Sequence, residues 1–163
     1  MFPSHIIDLA EKLQKICIEK KLKITVAESC TGGLIGGLIT SIAGSSEIFE
    51  RGFITYTNQA KGEILGVPAH IFMAQGAVSD ECATAMAEGA LTKADADLSV
   101  SVTGIAGPSG ATATKPVGLV HLAVARKGLN TYNECHEFKG DRTDVREQAV
   151  ESAMKLLNKV AEL

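Results

Sequence analysis

The stretch Ile24-Thr25-Val26-Ala27-Glu28-Ser29-Cys30-Thr31-Gly32-Gly33-Leu34 decides how the chain folds. Its first four residues form a short, mostly β-branched run that reads as a buried strand. A polar turn and two glycines follow, and then the apolar segment Leu34 to Ile42, which reads as a helix. Strand, turn and helix in that order make a βα junction. The first N–H groups of such a helix lack an intrahelical acceptor and carry partial positive charge. The junction is therefore a natural place for an anion or a developing oxyanion. Ser29 stands at the end of the strand, where a hydroxyl is held rigidly and a nucleophile is expected; serines and threonines at such junctions also serve as plain helix caps.

Toward the N-terminus, Ser4 is expected to cap a first helix carrying Ile6, Ala10, Leu13, Ile16 and Cys17 at helical spacing, with Cys17 in the core. Toward the C-terminus, Gly44-Ser45-Ser46 interrupts the second helix and Phe53-Ile54-Thr55-Tyr56 alternates as a strand does. Asn58 is expected to cap a helix with Ala60, Lys61, Ile64 and Leu65, which Gly66-Val67-Pro68 stops. Ser79 caps an alanine-rich helix from Asp80 to about Lys93, which carries Cys82. Leu98, Val100 and Val102 alternate with Ser99 and Ser101 in a strand that runs into the glycine-rich loop Thr103 to Pro116. Gly118 to Ala125 is apolar enough for a central strand, and Tyr132 to Phe138 suits an antiparallel neighbour. Asp141 to Val160 is a long amphipathic helix with the stripe Val145, Ala149, Ala153, Leu156 and Val160. Mixed helices and strands, without repeat or linker, predict an α/β fold. A single domain over residues 1–163 is expected, in three layers, with a mixed sheet covered by helices.

Composition narrows the function classes. Sixteen Lys and Arg against nineteen Asp and Glu leave a net charge of −3, without the basic stripe that direct nucleic-acid binding needs. Trp is absent and aromatics are 4%, too few to stack single-stranded bases. No apolar run is long enough to span a membrane and no signal peptide opens the chain, so a cytoplasmic location is expected. Cys17, Cys30, Cys82 and Cys135 lie far apart and read as reduced thiols, and His5, His70, His121 and His136 show no metal-ligand spacing. No metal or organic cofactor is expected.

A serine nucleophile needs a base, and no histidine is marked by spacing as the partner of Ser29. A lysine serves if burial or the positive end of a helix lowers its pKa, which suits Lys61 in a first helical turn; the bland alternative is a solvated surface charge.

The segments Thr25 to Gly33, Gly44-Ser45-Ser46, Thr55 to Lys61, Gly76 to Ser79, Thr103 to Pro108, Lys115-Pro116-Val117-Gly118 and Gly140-Asp141-Arg142 together resemble the C-terminal domain family of competence/damage-inducible protein A. The resemblance spans nearly the whole chain in the family's order. With Met1 at its start and its last helix close to its end, the chain looks like a free-standing form without the family's larger N-terminal domain. The resemblance implies hydrolysis of the carboxamide of nicotinamide mononucleotide to nicotinate mononucleotide and ammonia, through a serine–lysine pair that falls on Ser29 and Lys61. Tyr56 matches the family motif and either donates to Ser29, binds substrate or is a half-buried strand tyrosine. Substrate binding is expected from Cys30, Thr31, Gly32 and Gly33 at the first junction and from Thr103, Gly104 and Gly107 at the second. Arg142 suits the substrate's phosphate, or else pairs with Asp141 or Asp144. Glu28 is expected to cap, to meet a cation or to orient Lys61, and Cys30 is the rival nucleophile.

The family's run of glycines before Lys-Pro-Val-Gly is replaced here by Ser109-Gly110-Ala111-Thr112-Ala113-Thr114, so a different loop path is expected. Two other functions are open to the same residues: a nucleotide-binding or protein-interaction module without catalysis, and an amidase for another amide. A homo-oligomer, with a dimer favoured, is expected of so small a layered domain.

Overall fold

The computed structural model describes all 163 residues, from Met1 to Leu163. In chain order the elements are α1 (Ser4–Lys20), β1 (Ile24–Glu28), α2 (Leu34–Thr40), a 3₁₀ turn (Ser45–Glu47), β2 (Phe49–Ile54), α3 (Asn58–Leu65) and α4 (Ala69–Ala74). Then follow α5 (Asp80–Lys93), β3 (Leu98–Gly104), β4 (Leu119–Arg126), β5 (Tyr132–Glu137) and α6 (Arg142–Glu162). The five strands form one mixed sheet in the order β2-β1-β3-β4-β5. β1 is parallel to both β2 and β3, and β4 and β5 continue antiparallel. The α/β architecture agrees with the sequence expectation.

Period-two alternation assigns each strand residue to a face. Val26, Val100, Val102, Val120, Leu122 and Val124 join the larger apolar core with α1, α2 and α6. On the other face the residues are small: Ala27 packs with Leu65, Cys82 and Met86, and Ala123 and Ala125 with Ala83 and Ala87. These short side chains let α5 approach the sheet closely. Ser99 Oγ then donates to Ala87 O at 2.6 Å and Ser101 Oγ to Ala83 O at 2.5 Å. The alternating serines of β3, Ser99 and Ser101, are buried and satisfied by helix carbonyls.

Several boundaries differ from expectation. Pro3, not Ser4, occupies the N-cap of α1. Thr57, not Asn58, caps α3, accepting from Ala60 N–H. β2 starts at Phe49 and ends at Ile54, so Thr55 and Tyr56 lie beyond it. The short helix α4 had no distinct signal in its six residues. Ser79 does cap α5, and Asp141 with Asp144 forms a reciprocal capping box at α6.

Strand order positions the site. From β1 the chain passes through α2 to β2 on one side, then through α3 to α5 to β3 on the other side of β1. The carboxyl end of β1 is thus the point where the sheet changes winding direction, and connections leaving it part to opposite faces to leave a crevice. Ser29 follows β1 at that crevice, and its N–H is held by Val102 O of β3 at 3.0 Å.

Candidate active site

Glu28 and Ser29 leave the end of β1 toward opposite faces. Glu28 is fully buried under α2, where its carboxylate accepts from the N–H groups of Gly33 (3.0 Å), Ile35 (3.1 Å) and Gly36 (2.8 Å) and from Thr31 Oγ1 (2.6 Å). Gly33, at φ 102°, allows the sharp entry into α2 that brings these groups together. The anion site expected at the βα junction therefore exists, but the chain's own carboxylate fills it. Glu28 is a capping residue and makes no bond to Lys61. Thr31, Gly32 and Gly33 do not line the cavity that holds Ser29, since the first helical turn is turned toward Glu28.

Ser29 faces the α3 and α5 side. There Lys61 Nζ lies 3.0 Å from Ser29 Oγ and 3.0 Å from the carbonyl of Tyr56. Lys61 is 2% exposed and has no carboxylate partner. Burial is the main reason its pKa is lowered from the ordinary lysine value; the thiols of Cys82 and Cys30 oppose the shift. A buried amine without a counter-ion is biased toward its neutral form, whose lone pair can accept a hydroxyl proton. The alternative of a solvated surface lysine is thereby corrected.

A cavity of about 200 Å³ opens on this pair. Of the residues expected there, Cys30, Tyr56, Thr103, Gly104 and Arg142 line it with Ser29 and Lys61. Gly107 does not; its carbonyl instead receives Arg142 Nη1 at 2.8 Å. Arg142 Nη2 donates to the Tyr56 hydroxyl at 3.2 Å, so Arg142 stands over the mouth of the cavity and pairs with neither Asp141 nor Asp144. Tyr56 is a rim residue, 57% exposed, and not a half-buried strand tyrosine.

Thr103 donates its hydroxyl to Ala77 O at 2.8 Å and so holds the segment that supplies Ala77 and Val78 to the cavity wall. Gly104 is required by close packing, because a Cβ there would stand 2.8 Å from Leu119 O. Cys30 is 5% exposed, and burial pushes its thiol up to about 11, which leaves it protonated and a poor nucleophile at neutral pH. The backbone N–H of Cys30, directly after Ser29, donates to no backbone carbonyl, in contrast to those of Ser29 and Gly32.

Three further residues contribute that the sequence reading did not single out as site residues. Arg146 of α6 donates through Nε to Cys30 O (3.1 Å) and through Nη2 to Thr31 O (3.2 Å), clamping the turn after Ser29 from 115 residues away. Asn58 lines the cavity one residue beyond the cap of α3. Lys115 donates to Val78 O at 2.7 Å and to Gln75 O, tying the end of the Thr103–Pro116 loop to the same wall. That loop folds on itself through Thr112 N–H to Lys115 O at 2.8 Å, and Ser109 to Thr114 lie outside the cavity.

Comparison with known proteins bears on the family and the fold. The model of the CinA C-terminal domain matches residues 6–161. A Caldicellulosiruptor bescii protein described as competence-damage inducible is 48% identical over 151 residues, which cover 93% of this chain; the chain spans only 36% of that relative's length. The nicotinamide-nucleotide amidohydrolase PncC of Escherichia coli K12 is 45% identical over 160 residues, 96% of this chain and 95% of the relative. Among solved structures, the competence/damage inducible protein CihA of Agrobacterium tumefaciens superposes with a TM-score of 0.97 at 43% identity, over 100% of this chain and 99% of the other.

Proposed function

The chain belongs to the CinA C-terminal domain family, and from that premise we propose that it is an amidohydrolase that converts nicotinamide mononucleotide to nicotinate mononucleotide and ammonia. The substrate rests on the full-length similarity to the amidohydrolase PncC. The observation that carries the chemistry is the buried Lys61 amine, 3.0 Å from the Ser29 hydroxyl and without a counter-ion.

In the proposed reaction neutral Lys61 takes the Ser29 proton while Oγ attacks the carboxamide carbon. The oxygen that gains charge meets the N–H of Cys30, which donates to no backbone carbonyl and is pre-oriented because Arg146 holds the Cys30 and Thr31 carbonyls. Collapse breaks the C–N bond, and the Lys61 ammonium returns its proton to the leaving nitrogen, which departs as ammonia. A water then adds to the nicotinate ester on Ser29, with Lys61 again as base, releasing the acid and restoring the serine. Every proton taken by Lys61 is returned, so no cofactor enters the balance.

At about 200 Å³ the cavity suits the pyridine carboxamide and not the whole nucleotide. The ribose phosphate then extends past the mouth, where Arg142 uses only part of its donor fork on Gly107 O and the Tyr56 hydroxyl. Lysine or arginine donors at the rim favour a phosphate through charge-assisted hydrogen bonds.

The test is ammonia release from nicotinamide mononucleotide with a chelator present, by the unaltered protein and by Ser29→Ala. Turnover that disappears in the variant supports the proposal. Binding without turnover by the unaltered protein replaces it with a nucleotide-binding module, and ammonia from other amides alone replaces the substrate. The same proposal places the protein in the cytoplasm as a homodimer. No helix is long and apolar enough to cross a membrane, and edge strand β2 and helix α3 expose Ile54 and Ile64.

A further inference from the structure

A second chemically organised cluster lies on the same sheet face, outside the Ser29 cavity. Its members come from three elements: Asp80 in the first turn of α5, His121 in β4 and Cys135 in β5. His121 Nδ1 is 2.8 Å from Asp80 Oδ1, and His121 Nε2 is 3.8 Å from Cys135 Sγ. Sheet register produces the contact, since His121 and Cys135 are directly paired across β4 and β5 and so project from one face. The closing of α5 over that face brings Asp80 down onto the ring, and Asn133 Nδ2 braces the helix start by donating to Asp80 O (3.3 Å) and Thr84 Oγ1 (2.6 Å).

The three roles follow from their bonds. A carboxylate accepts only, so Nδ1 of His121 carries the hydrogen and Nε2 presents its lone pair to the sulfur. The imidazole is 9% exposed, and the thiol above it is exposed. We propose that Cys135 is a modification site that exchanges with small-molecule disulfides, with His121 as its base and Asp80 holding the ring in the required tautomer.

In this exchange the proton on Sγ passes to His121 Nε2 as Sγ attacks one sulfur of the disulfide. The S–S bond breaks, a Cys135 mixed disulfide forms, and the departing thiolate takes the proton from the imidazolium. Cys135 is oxidised and the released half of the reagent is reduced, so the disulfide is the only oxidant needed.

The other cysteines are unsuited to this chemistry. Cys17, Cys30 and Cys82 are buried, and burial pushes their thiols up to about 12, 11 and 11. Cys135 itself is also held above the usual thiol range, first by partial burial and then by the facing charges of Asp80 on α5 and Glu137 on β5. Its resting form is therefore S–H, and attack at neutral pH requires the base that His121 supplies. Glu137 and Asp80 are the charged groups that face the thiol, and His121 is the titratable group facing it from β4.

The test is incubation of the intact protein with glutathione disulfide, read as adduct mass and mapped by peptide. One glutathione on Cys135 is expected, absent in Cys135→Ser. At pH 7, His121→Gln is expected to slow the adduct about a hundredfold or more, the lower end of the range for loss of a general base. In the unaltered protein the adduct is expected to form already at pH 7, below the range in which the raised Cys135 thiol ionises by itself. Adduct that forms only where a thiol ionises unaided, above about pH 9, or equal rates in the two proteins, overturns the proposal; the pH comparison needs no variant and so does not depend on how His121→Gln folds.

Discussion

Lys61 is an expensive residue to bury, and the proposed mechanism draws on that cost. A buried ammonium without an anion is disfavoured, so its folded pKa lies below the unfolded value near 10.5. Between those two values the unfolded chain binds more protons than the folded one, and stability rises with pH across that window. Lys61→Met removes the penalty: at pH 7 its melting temperature is expected to equal or exceed that of the unaltered protein, with the difference closing toward pH 10.5. The same variant is expected to lose about 10²- to 10⁴-fold in turnover, the range for a general base. The proposed catalysis by neutral Lys61 also sets the sign of the pH profile, with kcat/KM expected to rise with pH and level below 10.5. At the rim, Arg142→Ala is expected to raise KM for the phosphorylated substrate about tenfold or more, as the loss of charge-assisted bonds does, with kcat nearly unchanged. Steady-state ammonia assays at several substrate concentrations separate the two effects.

At the scale of elements, the two helices that frame the site are held by unlike means. α2 begins on the Glu28 carboxylate, which satisfies three of its N–H groups. Glu28→Gln turns an amide donor toward those donors and removes the charge, and a loss of about 1–3 kcal/mol is expected in urea unfolding. α5 instead depends on small residues, Ala83 and Ala87 against Ala123 and Ala125. Ala123→Leu forces that layer apart, breaks the serine–carbonyl bonds of β3, and is expected to cost about 1–3 kcal/mol by overpacking. Helix α5 was legible from its Ser79 cap, its acidic first turn and its length, and the structure gives the same range. The cap of α3 was not, because Thr57 and Asn58 are both good cap residues and only the backbone at Thr57 decides between them.

Over the whole molecule, the site exists because one sheet brings distant segments to the end of β1. Arg146 from the last helix fastens the turn after Ser29, and Arg146→Met is expected to lower kcat with little change in KM, since it touches the turn and not the cavity. Light scattering on the purified protein is expected to return the mass of two chains. What the sequence by itself determined is local in origin: the βα junction at Ser29, the helical turn that carries Lys61, the strand and helix periods, and the motif set of the family. These depend on residues within a few positions of each other, where sterics and hydrogen bonding act through the backbone alone. What only the tertiary structure decided is long-range. Strand order places Lys61 Nζ at 3.0 Å from Ser29 Oγ, β-face parity sends Glu28 to α2 and Ser29 to the cavity, and packing of α6 supplies Arg146. Such pairings depend on which faces meet once apolar surface is buried, and no spacing along the chain encodes that distance.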